Sequence, residues 1–386
     1  MKIRNLNRSC PICRNLTGDV LHTQKFVFAS IHFMPGEYDV VSCCHCGFVY
    51  ADISLKQDDF DAYYASMSKY EMTYIPGNSH IYKDRAKWVS SVICDVSANI
   101  IDIGSGNSSL LYELQGLGFF NLTALDPSEK CIANACEKGI VGVTLSIFDL
   151  SVDKKYDVAI MSGVLEHIYE LPGIMKRLQS LIRRNGFFLV CVPDASRYHQ
   201  FDSIPFDYFN CEHVNHFDET SLINLGLAYG FRVVNLVKTT VKFSNVEQPM
   251  IFCAYSNECA EASEWRNHSA KMLSQYVSQT SQIHNVDVII DRLAQSQEEI
   301  IVWGAGNYAS RLLATSRLNQ CKIVMFVDND KHKQGGYLFG KQICSPMEII
   351  NKHHLPVIII AVAVFSDDIL KEISLMGVKN KVVVLK

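Results

Sequence analysis

No stretch of this chain approaches the roughly 18 apolar residues of a membrane span, and Met1 to Arg8 lacks the apolar core of a secretory signal. Both absences point to a cytoplasmic protein with no membrane partner. Charge of one sign is lacking too, since 36 basic against 40 acidic residues leave a net charge of −4 and a pI near 6.3. That removes any electrostatic case for nucleic acid or an anionic bilayer. Without secretory context, the 14 cysteines read as thiols or metal ligands in preference to disulfides. What is present is an ordinary apolar content of 48% on 386 residues, more than one core usually supports. Two or three domains are expected.

The most informative stretch is Ile100-Ile101-Asp102-Ile103-Gly104-Ser105-Gly106, followed by the apolar-periodic Leu110 to Leu114. It reads as strand, glycine turn and helix, the opening unit of a doubly wound α/β sheet. Twenty residues past Gly106, the run Leu122 to Leu125 ends in Asp126, whose carboxylate suits both hydroxyls of a ribose. A third glycine is missing: Ser109 stands where a dinucleotide fingerprint would carry one. Asp102 also directs an anion at the site, which favours a cationic ligand over a diphosphate. At this point the chain resembles the class I S-adenosylmethionine (SAM) methyltransferases. Phe148-Asp149-Leu150, Tyr156 to Ile160, Val164 to Ile168 and Gly186 to Pro193 follow in that superfamily's order. The resemblance implies SAM as cofactor, held by Asp102, Gly104, Ser105, Gly106, Asp126, Pro127, Asp149 and Leu150.

Upstream, Cys10-Pro-Ile-Cys13 and Cys43-Cys-His-Cys46 form paired knuckles of Cys-x-x-Cys spacing. Such pairs present four thiolates to one tetrahedral, structural Zn²⁺. A redox pair or chance cysteine richness is the other account. The segment Asp61 to Tyr70 is aromatic and hydroxyl-rich, either a packing strap or a lid that reaches substrate. Glu166-His167 marks the turn from fourth strand to next helix, where His167 reads first as a helix-start residue. After the fifth strand, Phe206 to Phe217 sets Glu212, His213 and His216 among aromatics. A histidine beside a carboxylate can act as general base near neutral pH; histidines capping backbone groups are the structural alternative.

Further on, Ile300 to Ala309 repeats strand, glycine turn and helix, and Lys322 to Val327 ends in Asp328. Apolar runs at 357–364 and 382–385 complete a second Rossmann-like domain, read as a nucleotide site or as a docking module. The expected division is a zinc module (1–75), a methyltransferase core (76–255), a helical connector (256–297) and a C-terminal Rossmann-like domain (298–386). The fold class is α/β.

That order of modules, with the stretch Val327 to Gly340, resembles the zinc-containing sugar-nucleotide C-methyltransferases of deoxysugar pathways. The resemblance implies a nucleotide-linked 4-keto sugar as small-molecule substrate, with proton removal beside the ketone and attack on the methyl group. It places His213 as the base with Glu212 beside it, and Tyr64, Tyr70, Asn210 and His216 as substrate contacts. O-methylation of a hydroxyl needs the same base, and a non-catalytic sugar-nucleotide scaffold is a third reading. The oligomer is a monomer or a homodimer.

Overall fold

The computed structural model describes residues 3–28, 33–66, 79–201, 204–243, 246–258, 265–266, 270–350 and 355–386. The chain begins with strands β1 (Ile3–Asn5), β2 (Thr17–Lys25), β3 (Glu37–Cys43) and β4 (Val49–Asp52), then helices α1 (Gln57–Ser66) and α2 (Ser79–Val92). The methyltransferase region follows with β5 (Ile100–Ile103), α3 (Ser109–Gly116), β6 (Leu122–Asp126), α4 (Glu129–Glu137), β7 (Val141–Thr144), β8 (Tyr156–Ser162), α5 (Leu171–Leu181) and β9 (Ile182–Pro193). A two-residue strand β10 (Asn215–His216), α6 (Glu219–Ala228), β11 (Arg232–Phe243) and β12 (Val246–Ser256) complete it.

These strands lie in the order β7-β6-β5-β8-β9-β12-β11. The first five run parallel, and β12 is antiparallel to both neighbours. Helices cover both faces, so the central strand β5 is fully buried, three isoleucines with Asp102 among them. One face packs α2, α3 and α4 through Trp88, Leu111, Leu114 and Ile132. The other face packs α5 and, unexpectedly, the N-terminal segment: Cys10, Ile12, Cys43, Cys46, Phe48 and Tyr50 share one core with Ile101, Met161 and Leu178. Among the described residues, the cysteine segment and the sheet thus share one core.

β10 explains how. It leaves the methyltransferase region and pairs antiparallel with β4, as the last strand of the sheet β1-β2-β3-β4-β10. Arg8 fastens the joint. Its buried guanidinium donates to the carbonyls of Val214 (3.1 Å) and Tyr169 and to Asn215 Oδ1 (3.2 Å), and stacks 4.4 Å from the Tyr169 ring centroid.

Beyond β12, α7 (Lys271–Thr280) and α8 (Asn285–Ser296) part company. Leu273 and Tyr276 of α7 join an aromatic cluster with Phe60, Tyr198 and Phe209, whereas Val286, Ile290 and Leu293 of α8 pack into the last domain. The expected connector is thus divided between two cores. The last domain holds β13 (Glu299–Trp303), α9 (Asn307–Thr315), β14 (Lys322–Val327), β15 (Tyr337–Leu338), β16 (Lys341–Cys344), β17 (Val357–Ile360), α10 (Ser366–Met376) and β18 (Val382–Val384). Its order is β15-β16-β14-β13-β17-β18, parallel except for β15. The apolar run expected to stay extended to 364 leaves the sheet after Ile360. No helix among the described residues is long and apolar enough to cross a membrane.

Candidate active site

The turn after β5 is held by the strand beside it. Gly104 and Ser105 donate backbone N–H groups to Leu125 O (2.8 and 3.1 Å), and Gly106 donates to Asp126 Oδ2 (2.9 Å). Asp126 Oδ1 accepts from Ser128 N (2.9 Å), so this carboxylate orders the turn and the start of α4 at once. Gly104 has φ +69°, and a Cβ there would lie 2.8 Å from Val164 Cγ2. Glycine is required by both conformation and contact. Asp102 is 3% exposed and its Oδ1 has no hydrogen-bond partner; the Ser105 hydroxyl is likewise buried without one. Burial pushes the Asp102 carboxyl up to about 8, against the pull of nearby Arg85. An acid so placed gains most from a cationic ligand, which restores its charged form. The donor set therefore fits SAM, whose sulfonium and ammonium are positive.

Asp149 and Leu150 follow β7. Ser146 Oγ donates to Asp61 Oδ2 (2.9 Å), and Arg177 donates to the carbonyls of Ile147 (2.8 Å) and Leu150, which fixes this loop against α1 and α5.

Val164 leads directly into a single 3₁₀ turn, Leu165–His167. Here the structure brings together residues that lie far apart in sequence. The imidazoles of His167 and His213 meet edge to face with centroids 4.8 Å apart. His167 Nδ1 lies 3.0 Å from the Glu212 carbonyl and 2.9 Å from Tyr64 Oη. Because a carbonyl only accepts, Nδ1 carries the proton and Nε2 keeps the lone pair. Tyr63 Oη donates to Glu212 Oε1 (3.0 Å). Glu166 is buried, and that burial raises its carboxyl to about 7.

The other expected substrate contacts fare differently. Asn210 Oδ1 accepts from the backbone N–H of Glu212 (3.0 Å) and His213 (2.9 Å), so it shapes the loop that carries them. His216 is 2% exposed on β10, between Phe209 and Tyr198, with neither ring nitrogen hydrogen-bonded. Burial drives its pKa down to about 3, so it is a neutral core residue. Pairing of β10 with β4 buries both of its residues. Tyr70 lies outside the described residues.

Sequence reasoning flagged the segments holding Tyr63 and Asn215 without singling either out, and missed Arg8 and Arg85. Arg85 is 7% exposed and donates to Ser162 Oγ (2.9 Å) at the end of β8. A signal existed: Arg85 falls on the apolar stripe Ile81, Trp88 and Val89 of α2, where a cation needs an anionic partner. Arg8, in an irregular segment, gave no such sign.

The four cysteines converge as the spacing required. Their sulfurs all lie within 4.8 Å of one another, with Cys10–Cys46 and Cys13–Cys43 at 3.4 Å. Those separations exceed a disulfide bond and fall about 0.4 Å short of the roughly 3.8 Å edges that Zn–S bonds near 2.3 Å would give.

A family model described as a methyltransferase domain matches residues 79–236, and one described as C2185-like, N-terminal, matches 296–384. The chain is 29% identical over 120 residues to EEF1A lysine methyltransferase 2 of Danio rerio, covering 27% of this chain and 52% of that protein. For the Homo sapiens protein of the same name the values are 28% over 120 residues, 27% and 51%. The chain thus spans about half the length of the curated relatives it matches. Among solved structures, magnesium protoporphyrin IX methyltransferase from Synechocystis PCC 6803 with bound SAH aligns at TM-score 0.39 and 16% identity, covering 52% of this chain and 98% of that one. The Burkholderia thailandensis 1,6-didemethyltoxoflavin-N1-methyltransferase aligns at 0.40 and 16%, covering 55% and 96%. Residues 79–236 of this chain are a methyltransferase domain of the class I, Rossmann-like architecture.

Proposed function

We propose that the chain transfers a methyl group from SAM to a nucleotide-linked sugar, at the carbon next to a ketone, with His213 as base. The observation that carries this reading is the junction at Gly104 and Val164, where the SAM-type turn abuts the turn bearing Glu166 and His167. Bound SAM would supply an electrophilic methyl group. The remaining work belongs to the protein's own residues. His213, edge to face with His167, takes the proton; Tyr63 holds Glu212, and Tyr64 and the Glu212 carbonyl hold His167 in one tautomer. Asp102 and Asp126 would hold SAM's positive groups and its ribose.

Two contacts support a nucleotide-linked acceptor. Cys211 Sγ donates to Asn307 Oδ1 (3.1 Å), and Val27 N donates to Ser310 O (3.0 Å). The first ties the start of α9, just past the second glycine turn, to the histidine loop; the second ties α9 to the segment after β2. A long substrate could span the two. The cysteine cluster is read as a structural Zn²⁺ site, with no open position for chemistry.

Incubation with methyl-labelled SAM and a panel of nucleotide sugars tests the proposal, with NMR locating the new methyl. A carbon-bound methyl is expected beside a keto carbon. Transfer only to a hydroxyl would keep the base and overturn the ketone; transfer only to protein lysine would overturn the sugar.

A further inference from the structure

Glu166, His167 and His213 form a second group of metal-capable side chains, apart from the cysteines. One carboxylate oxygen and one nitrogen from each ring lie within 4.8 Å of one another. Three features of this group favour a cation. First, Glu166 is 4% exposed and its Oε2 is buried with no hydrogen-bond partner, an arrangement that costs free energy until a positive partner arrives. Arg85, fixed on Ser162 Oγ, favours the ionised carboxylate from a distance but makes no hydrogen bond that satisfies Oε2. Second, His167 gives its Nδ1 proton to the Glu212 carbonyl at 3.0 Å, with Tyr64 Oη at 2.9 Å. An outer N–H anchored on a carbonyl orients metal-bound imidazoles generally, and it assigns the ligating role to Nε2. Third, the His213 backbone is pinned by Asn210 Oδ1 at 2.9 Å, so that ring starts from a defined place.

Two imidazoles and one carboxylate leave a fourth position open on a tetrahedral ion. Imidazole ligands select borderline cations such as Zn²⁺ and Co²⁺ over Mg²⁺ or Ca²⁺. Bonds of about 2.1 Å set tetrahedral ligand atoms roughly 3.4 Å apart, so the three side chains would draw in by about 1 Å.

We propose that Glu166, His167 and His213 bind one Zn²⁺- or Co²⁺-type ion, and that this ion occupies the His213 lone pair that proton removal requires. The site is then inhibitory: metal and acceptor compete for that nitrogen. The binding half stands on the donor geometry alone, whereas the inhibitory half rests on the methyl-transfer reading above.

The test uses the full chain with its cysteine site filled by zinc, no SAM and no acceptor, titrated with Co²⁺. One further ion per chain is expected, with the weak visible bands of nitrogen and oxygen ligands and no sulfur charge transfer. His167→Ala and Glu166→Gln should each weaken uptake at least tenfold; the half-exposed His213→Ala should do the same if either buried variant fails to fold. No uptake beyond the cysteine-bound ion, or uptake unchanged in folded variants, overturns the site. Added Zn²⁺ should slow methyl transfer at the concentrations that fill the site, reversibly with a chelator. Full occupancy with unchanged turnover overturns the inhibitory half while leaving the methyl-transfer reading intact.

Discussion

The chain contains the same turn twice, and the two copies have opposite electrostatics. In each, an acid ending the second strand accepts a backbone N–H from the glycine turn: Gly106 to Asp126 at 2.9 Å, and Ala305 to Asp328 at 2.8 Å. There the likeness ends. Two residues before the first turn glycine stands Asp102, buried and raised to about 8, whereas Val302 holds that position in the second copy. The second copy instead brings a cation: Lys333 Nζ pairs with Asp328 Oδ2 at 3.1 Å and would lie 3.8 Å from a Cβ at Gly306. The first turn thus carries an additional buried acid, whereas the acid of the second is paired with a cation. A glycine motif reports backbone geometry, and the side chains around it decide the sign of what binds.

The two copies also differ in what supports them. The cysteine cluster shares a core with β5, β8 and α5 but not with the last sheet, which has its own clusters. Loss of zinc should therefore damage the first site alone. On the proposed reading of this cluster as a Zn²⁺ site, the metal would contribute on the order of 10 kcal/mol to the fold, the largest effect expected here. Cys46→Ser should release the metal and abolish SAM binding, with amide exchange accelerating in β3, β4 and β5 while β13 and β17 stay protected. Equal deprotection of both sheets would break the comparison.

Next in size is His213→Ala. General-base assistance is worth about 10²–10⁴-fold, so kcat should fall by that factor while SAM affinity, measured by calorimetry, stays constant. A loop that only covers the site would raise KM and spare kcat.

Much of this was legible in sequence. The central strands announced themselves as apolar runs ending in acid or glycine, because parallel strands buried on both faces leave no polar alternation to confuse them. The cysteine cluster was legible because two Cys-x-x-Cys knuckles bring four sulfurs together. The histidine loop was legible as a cluster of protonatable groups among aromatics, but its strand pairing was not. His213 and His216 look equivalent as letters, yet β10 pairs with β4 and turns His216 into the core. Nothing local to a two-residue strand signals a pairing made with residues 49–50. The single core shared by the zinc segment and the sheet was hidden for the same reason, since both depend on contacts of long sequence separation. Asn210 shows a subtler limit: its residue type suits a substrate contact and a turn cap equally, and only geometry separates them.

A direct contest between the copies comes from their acids. Asp126→Ala removes a charged hydrogen-bond acceptor, worth roughly 1.5–3 kcal/mol, and should weaken SAM binding roughly ten- to a hundredfold. Asp328→Ala should leave SAM affinity unchanged, because its partners Ala305 and Lys333 belong to the other turn. If both variants lose SAM binding equally, the assignment of cofactor to the first turn fails.

The smallest effect is the most specific to Asp102. Its folded-state pKa, about 8, lies above the ordinary 3.8, so between those values the folded protein holds a proton that the unfolded chain has released. Stability from this residue therefore declines as pH rises through that window. A cationic ligand reverses the preference, since it binds best to the ionised carboxylate and must displace the proton below pH 8. SAM affinity should accordingly climb with pH, by about fivefold between pH 7 and pH 8, and level off above. Asp102→Asn should bind more weakly at pH 8 and lose the slope altogether. Lys333→Met, in the other turn, should keep both affinity and slope. Calorimetry across pH 6 to 9 in buffers of differing ionisation enthalpy would read the proton released directly; binding without proton release near pH 7 would show that Asp102 is already charged, and that the contrast between the two turns does not rest on it.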